Sequence, residues 1–165
     1  MADNPEETGL GGWLAFFVFA IAGVTPVAMI YSTWTALYAD TGAGFEAMDY
    51  WRSLQIFEWS LAAIVIAGCW FIAARLAWRP VWRSVQITIA GIWILGLGAL
   101  IADFVGVSLI TDIPFAMLAA GGLGPEMLRP VVFGAIWTAY FLRSKRVANT
   151  YRRDGAPEEV AEVFG

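Results

Sequence analysis

Residues 13–37 read WLAFFVFAIAGVTPVAMIYSTWTAL, and no Asp, Glu, Lys or Arg occurs between Glu7 and Asp40. An α-helix needs about 20 apolar residues to cross the hydrocarbon core of a bilayer, because each residue advances it by only ~1.5 Å. The run exceeds that length and predicts a first membrane helix over about 12–38. Pro26 stands inside it and has no N–H for the carbonyl of Ala22, a defect that a neighbouring helix or the Thr25 hydroxyl can repair. A cleaved signal peptide is the competing reading. It fits poorly, because Asp3, Glu6 and Glu7 precede the run with no basic residue, and the run is too long for a signal core. The expectation is an uncleaved anchor behind a short acidic segment, residues 1–10. Gly9, Gly11 and Gly12 do not complete a dinucleotide fingerprint, since Leu14 stands where the third glycine belongs and no strand precedes them.

Working outward, Leu54 to Ala74 carries one charge, Glu58, and Ser84 to Ala102 carries none, which predicts helices over about 53–76 and 83–105. A fourth helix over about 126–144 must recruit Glu126 and Arg129, because the charge-free run from Pro130 to Leu142 is too short alone. Pro125 suits its first turn, and Glu126 complements the positive end of its dipole. Residues 113–124 are apolar but too short to span, and read as either interfacial or re-entrant. Composition agrees with lipid as the solvent. Of the 165 residues 59% are hydrophobic and only 15% charged, against about 25% charged in soluble chains, and the mean hydropathy is +0.66. The expected fold is an all-α membrane protein, a four-transmembrane-helix bundle over residues 11–151, with a mobile tail over 152–165.

Orientation follows from Lys and Arg near the helix ends. Arg75, Arg79, Arg83, Arg143, Lys145, Arg146, Arg152 and Arg153 fall on one side, and only Arg52 and Arg129 on the other. Eight against two puts the first side inside and both termini in the cytoplasm, an N-in/C-in topology. The outer connections, with Asp40, Glu46, Asp49, Asp112 and Glu126, are acidic.

Two motifs are specific: Leu10, Gly11, Gly12, Trp13, Leu14 at the first helix, and Ile136, Trp137, Thr138, Ala139, Tyr140, Phe141, Leu142, Arg143, Ser144, Lys145, Arg146, Val147 at the end of the fourth. With Pro26 and Glu58 between them, they resemble the DUF2569 family of small bacterial inner-membrane proteins. The likeness runs over most of residues 9–151, although the middle agrees chiefly in hydropathy. The chain departs from the pattern at Tyr151, where Phe is more usual, and in its acidic tail. The resemblance implies four membrane helices in a bacterial inner membrane and supplies no activity.

Charged groups inside the apolar spans are the first place to look for function, since each costs about 2.5–3.5 kcal/mol to insert. Glu58, Asp103 and Arg129 all fall near the outer face. They read either as a structural ion pair, Arg129 with Glu58, or as a cluster that binds a proton or cation, and the ion pair is the favoured reading. Arg75, Trp78, Arg79, Trp82 and Arg83, with Trp137, Tyr140, Arg143, Lys145 and Arg146, read as interfacial basic and aromatic residues touching membrane lipids. Gly98, Ala102 and Gly106 recur every four residues and allow another helix to approach. Histidine is absent and Cys69 is the single cysteine, so no metal, cofactor or catalytic constellation is expected, and nucleic acid is no expected partner. The leading expectation is a non-enzymatic accessory, assembly or stabilising subunit among other integral membrane proteins; the alternative is a small transporter or ion-coupled protein using the charged cluster.

Overall fold

The computed structural model describes residues 9–39 and 48–151. Asp40 and Glu46, the acidic segment before Gly9 and the tail from residue 152 lie outside the described residues. Nearly all of the described chain is helix. Three helices are long and apolar enough to cross a membrane: α1 (Gly12–Ala39), α2 (Trp51–Trp78) and α3 (Trp82–Thr111). An unbroken helical run over 115–143, α4, follows, and after Ser144 comes the short α5, Lys145–Thr150. Glu126 and Arg129 lower the apolar density of α4, which is not among the three. The chain is a multi-pass helical membrane protein.

The start of α4 differs from the sequence expectation of a helix beginning at 126 behind a surface or re-entrant segment over 113–124. Only residues 112–114 leave the helix. Asp112 turns left-handed, φ 57°, a conformation that Asp tolerates better than most side chains. The Ser108 hydroxyl donates to the Ile113 carbonyl at 2.7 Å and holds the turn. Gly121, Gly122 and Gly124 then stay in the helix although glycine costs about 1 kcal/mol relative to alanine there. The unbroken backbone hydrogen-bond ladder through them outweighs that cost.

Short π segments interrupt α1 at Ala20–Val24 and Thr35–Ala39, α3 at Ile94–Gly98, and α4 at Ala119–Leu123. Two of these precede a proline, Pro26 and Pro125, where the missing N–H already breaks the regular ladder. The open carbonyl of Ala22 is met from the neighbouring helix: the Trp70 indole N–H donates to it at 2.9 Å.

The core sits at one end of the bundle. Leu14, Phe17 and Ile21 from the start of α1 meet Ile72, Ala73 and Leu76 from the end of α2, Val85 and Ile92 from the start of α3, and Trp137 and Phe141 from the end of α4. Rings fill its centre, Phe17 lying 4.5 Å from Trp137 and 5.0 Å from Phe141, centroid to centroid. The α5 helix closes this end. Ser144 caps it by accepting from the Val147 N–H, Val147 is buried, and the buried Tyr151 hydroxyl donates to the Leu76 carbonyl at 2.8 Å, satisfying one of the open carbonyls at the end of α2. The two sequence motifs meet here. A Cβ on Gly11 would lie 2.6 Å from the Arg146 guanidinium, and the Gly9 N–H donates to the Thr150 hydroxyl at 3.0 Å with Gly9 at φ +83°, a conformation glycine alone adopts readily.

Candidate functional site

Antiparallel packing of α2 on α3 sets the geometry of the other end. Ile72 lies against Gly91, Leu95 against Gly68, and the ring of Phe57 fills the space that a Cβ on Gly106 would need. This last contact draws the two backbones together beside Glu58, whose carboxyl group neighbours that of Asp103. Two carboxylates so placed have no donor to share, so a hydrogen bond between them exists only when one of them carries a proton. Asp103 Oδ1 is enclosed and has no hydrogen-bond partner.

The pair opens onto a cavity of about 650 Å³ bounded by all four long helices, with Ser32 and Thr33 from α1, Gly96 and Ala99 from α3, and Glu126 and Arg129 from α4. The α4 helix reaches it by packing along α3: the Trp93 indole N–H donates to the Thr138 hydroxyl at 3.2 Å, Gly134 rests on the Trp93 ring, and Gly96 faces Pro130. Farther along, Glu126 lines the same cavity as Asp103. No group of three acidic or sulfur side chains among the described residues is placed to hold a metal.

Glu58, Asp103 and Arg129 thus line one cavity, but the pairing differs from the sequence expectation. Glu58 meets Asp103, and among the described residues Arg129 forms no ion pair with either. The physical reason is the Phe57–Gly106 contact, which turns Glu58 toward α3 while α4 stands across the cavity. Glu126 joins the cluster although a helix beginning at that residue would put it at the water boundary. Its spacing to Arg129, three residues on one helix, is the signal that places both on one face.

The remaining expected residues separate. Trp137 is a core residue, 7% exposed, because α5 folds over its end of the bundle, which corrects its reading as interfacial. Trp82 and Tyr140 pack partly buried against that core. Trp78, Arg79, Arg83, Arg143 and Lys145 are exposed, and Arg146 lies at Gly11. Arg75 is partly buried with its guanidinium 5.8 Å from the centre of the Phe71 ring. Of the small residues on α3, Gly106 receives Phe57, whereas Gly98 and Ala102 are exposed. A step of four residues overshoots a helical turn by about 40°, so a long stripe drifts off one face. Cys69 is buried in mid-α2.

The family model for the description "Protein of unknown function (DUF2569)" matches residues 7–152. No curated protein and no solved structure matches the chain.

Proposed function

Because the chain belongs to the DUF2569 family, whose description carries no activity, its function must be argued from the site, and we propose that it binds and exchanges a proton, or a small cation in place of that proton, at the Glu58–Asp103 pair. The observation that carries this reading is the contact between the two carboxyl groups inside an open cavity, with an oxygen of Asp103 left unpartnered. An acidic pair kept between two apolar helices without an ion-paired base is expensive unless something from solution completes it. Arg129 across the cavity and Glu126 beside Asp103 would set which ions enter.

In this reading α4 makes a fourth crossing, and the excess of Lys and Arg puts the packed end and both termini in the cytoplasm of a bacterial inner membrane, so the cavity faces outward. The reading includes no catalytic step. Its test is flux in vesicles containing the purified chain and an enclosed pH-sensitive dye. Proton movement that depends on the imposed gradient and disappears in a folded Glu58→Gln variant supports it; identical traces from variant, wild type and empty vesicles at every pH would end it.

A second reading, an accessory or assembly subunit of a larger membrane complex, is favoured by Gly98 and Ala102, which stand exposed on α3 with no internal helix against them. Cross-linking from a cysteine placed at Ala102 in native membranes tests it. A reproducible protein adduct supports this reading, and adducts with lipid alone count against it.

A further inference from the structure

At the opposite end of α2, Phe71, Ala74, Arg75, Trp78 and Arg79 line an open cleft of about 230 Å³. Arg75 Nε is shut away from solvent with no hydrogen-bond partner, while its guanidinium lies over Phe71. Among the described residues neither Arg75 nor Arg79 has a side-chain hydrogen bond or ion pair. Nor is a counter-charge near: the acids of the described residues, Asp49, Glu58, Asp103, Asp112 and Glu126, lie on the loops and half-helices of the other end. Two guanidiniums in one cleft with no acid at their end of the bundle among the described residues call for an anion from outside.

We infer that this cleft binds the phosphate of an anionic phospholipid. The apolar walls select a lipid over a free phosphate ion. Phe71 and Trp78 are 54% and 82% exposed, which an inorganic ion has no use for and which a glycerol backbone and acyl chain would cover. The cleft also lies at the end of an apolar span, where a lipid phosphate meets protein. Arg75 in the last turn of α2 adds to the helix dipole as well, but that role needs no cleft and no exposed aromatic pair.

The experiment is native mass spectrometry of the full chain released from micelles containing equal amounts of dioleoyl phosphatidylglycerol and dioleoyl phosphatidylcholine. Wild type is expected to retain one phosphatidylglycerol in preference to phosphatidylcholine. Arg75→Gln with Arg79→Gln should weaken that retention about 30-fold, about 2 kcal/mol at 1.4 kcal/mol per tenfold, whereas Arg143→Gln with Lys145→Gln, outside the cleft, should leave it unchanged. Arg79 is exposed, so Arg79→Gln alone reads the cleft without disturbing the core and should cost about fivefold. Equal retention of the two lipids by wild type, as when the acidic tail fills the cleft instead, or an undiminished preference in the Arg79 variant, overturns the inference.

Discussion

The two ends of this bundle are built on opposite plans. At one end, α1 to α4 interlock around Phe17, Trp137 and Phe141, and α5 seals them with Val147 and Tyr151. At the other, the same helices separate around a cavity and turn carboxyl groups into it. In lipid, apolar surface gains little by leaving the membrane for a protein interior, so helices associate through close packing and hydrogen bonds. Ring interdigitation and the satisfied Leu76 carbonyl therefore hold the closed end, leaving the open end free to keep groups that a stable core would reject. Close packing and the carboxyl groups are placed in different halves of the same four helices.

The comparison breaks first if the closed end can be emptied without penalty. Phe17→Ala is expected to cost about 3 kcal/mol, the low end for a buried ring, and to lower the thermal midpoint in detergent sharply, while Leu61→Ala on the cavity wall should cost less than about 1 kcal/mol. Equal losses at the two sites would erase the distinction. Next, Gly106→Leu must push against Phe57, and overpacking of this kind costs about 1–3 kcal/mol. Its sharper readout is local: separating α2 from α3 there should also abolish proton binding, whereas Gly121→Ala, in open space on α4, should change neither.

Smaller effects test the backbone repairs. Trp70→Phe keeps a ring but removes the donor to Ala22, and should cost about 1–2 kcal/mol, measured as folded fraction against a denaturing detergent series. Tyr151→Phe removes the donor to Leu76 and should cost about 1 kcal/mol. Burial, with a smaller contribution from Tyr140, pushes the Tyr151 hydroxyl from 10.0 up to about 12. The unfolded chain therefore loses this proton first as pH rises, so the stability it contributes is present below pH 10.0 and declines as pH climbs toward about 12. Thermal midpoints should fall over that interval more steeply in wild type than in Tyr151→Phe; parallel curves would contradict it.

Much of the closed end is legible in the amino-acid order alone. The charge-free runs define α1, α2 and α3 because lipid leaves so few alternatives, and Pro26 signals the open carbonyl that Trp70 satisfies. What a run of hydropathy cannot convey is which face of a helix meets which neighbour. Glu58 and Asp103 are visible as charges in apolar sequence, yet opposite charge suggests Arg129 as the partner of Glu58, and only the fit of Phe57 onto Gly106 brings the two acids together. Residues 113–124 read as interfacial or re-entrant because they are too short to span alone, and hydropathy does not reveal that the helix of 124–143 runs back without a break to Phe115. Starting the fourth helix at 126 also leaves Glu126 in the outer connection and out of the cluster. Trp137 reads as interfacial because nothing in its own helix reveals that α5 returns to cover it.

The central claim is that the Glu58–Asp103 pair holds an exchangeable proton, and infrared spectroscopy of the folded protein tests it most directly. The account predicts the carbonyl stretch of one protonated carboxylic acid, shifting on transfer to heavy water and disappearing in both Glu58→Gln and Asp103→Asn, each with its fold intact. A spectrum without that band, or a band that survives in both variants, would contradict it.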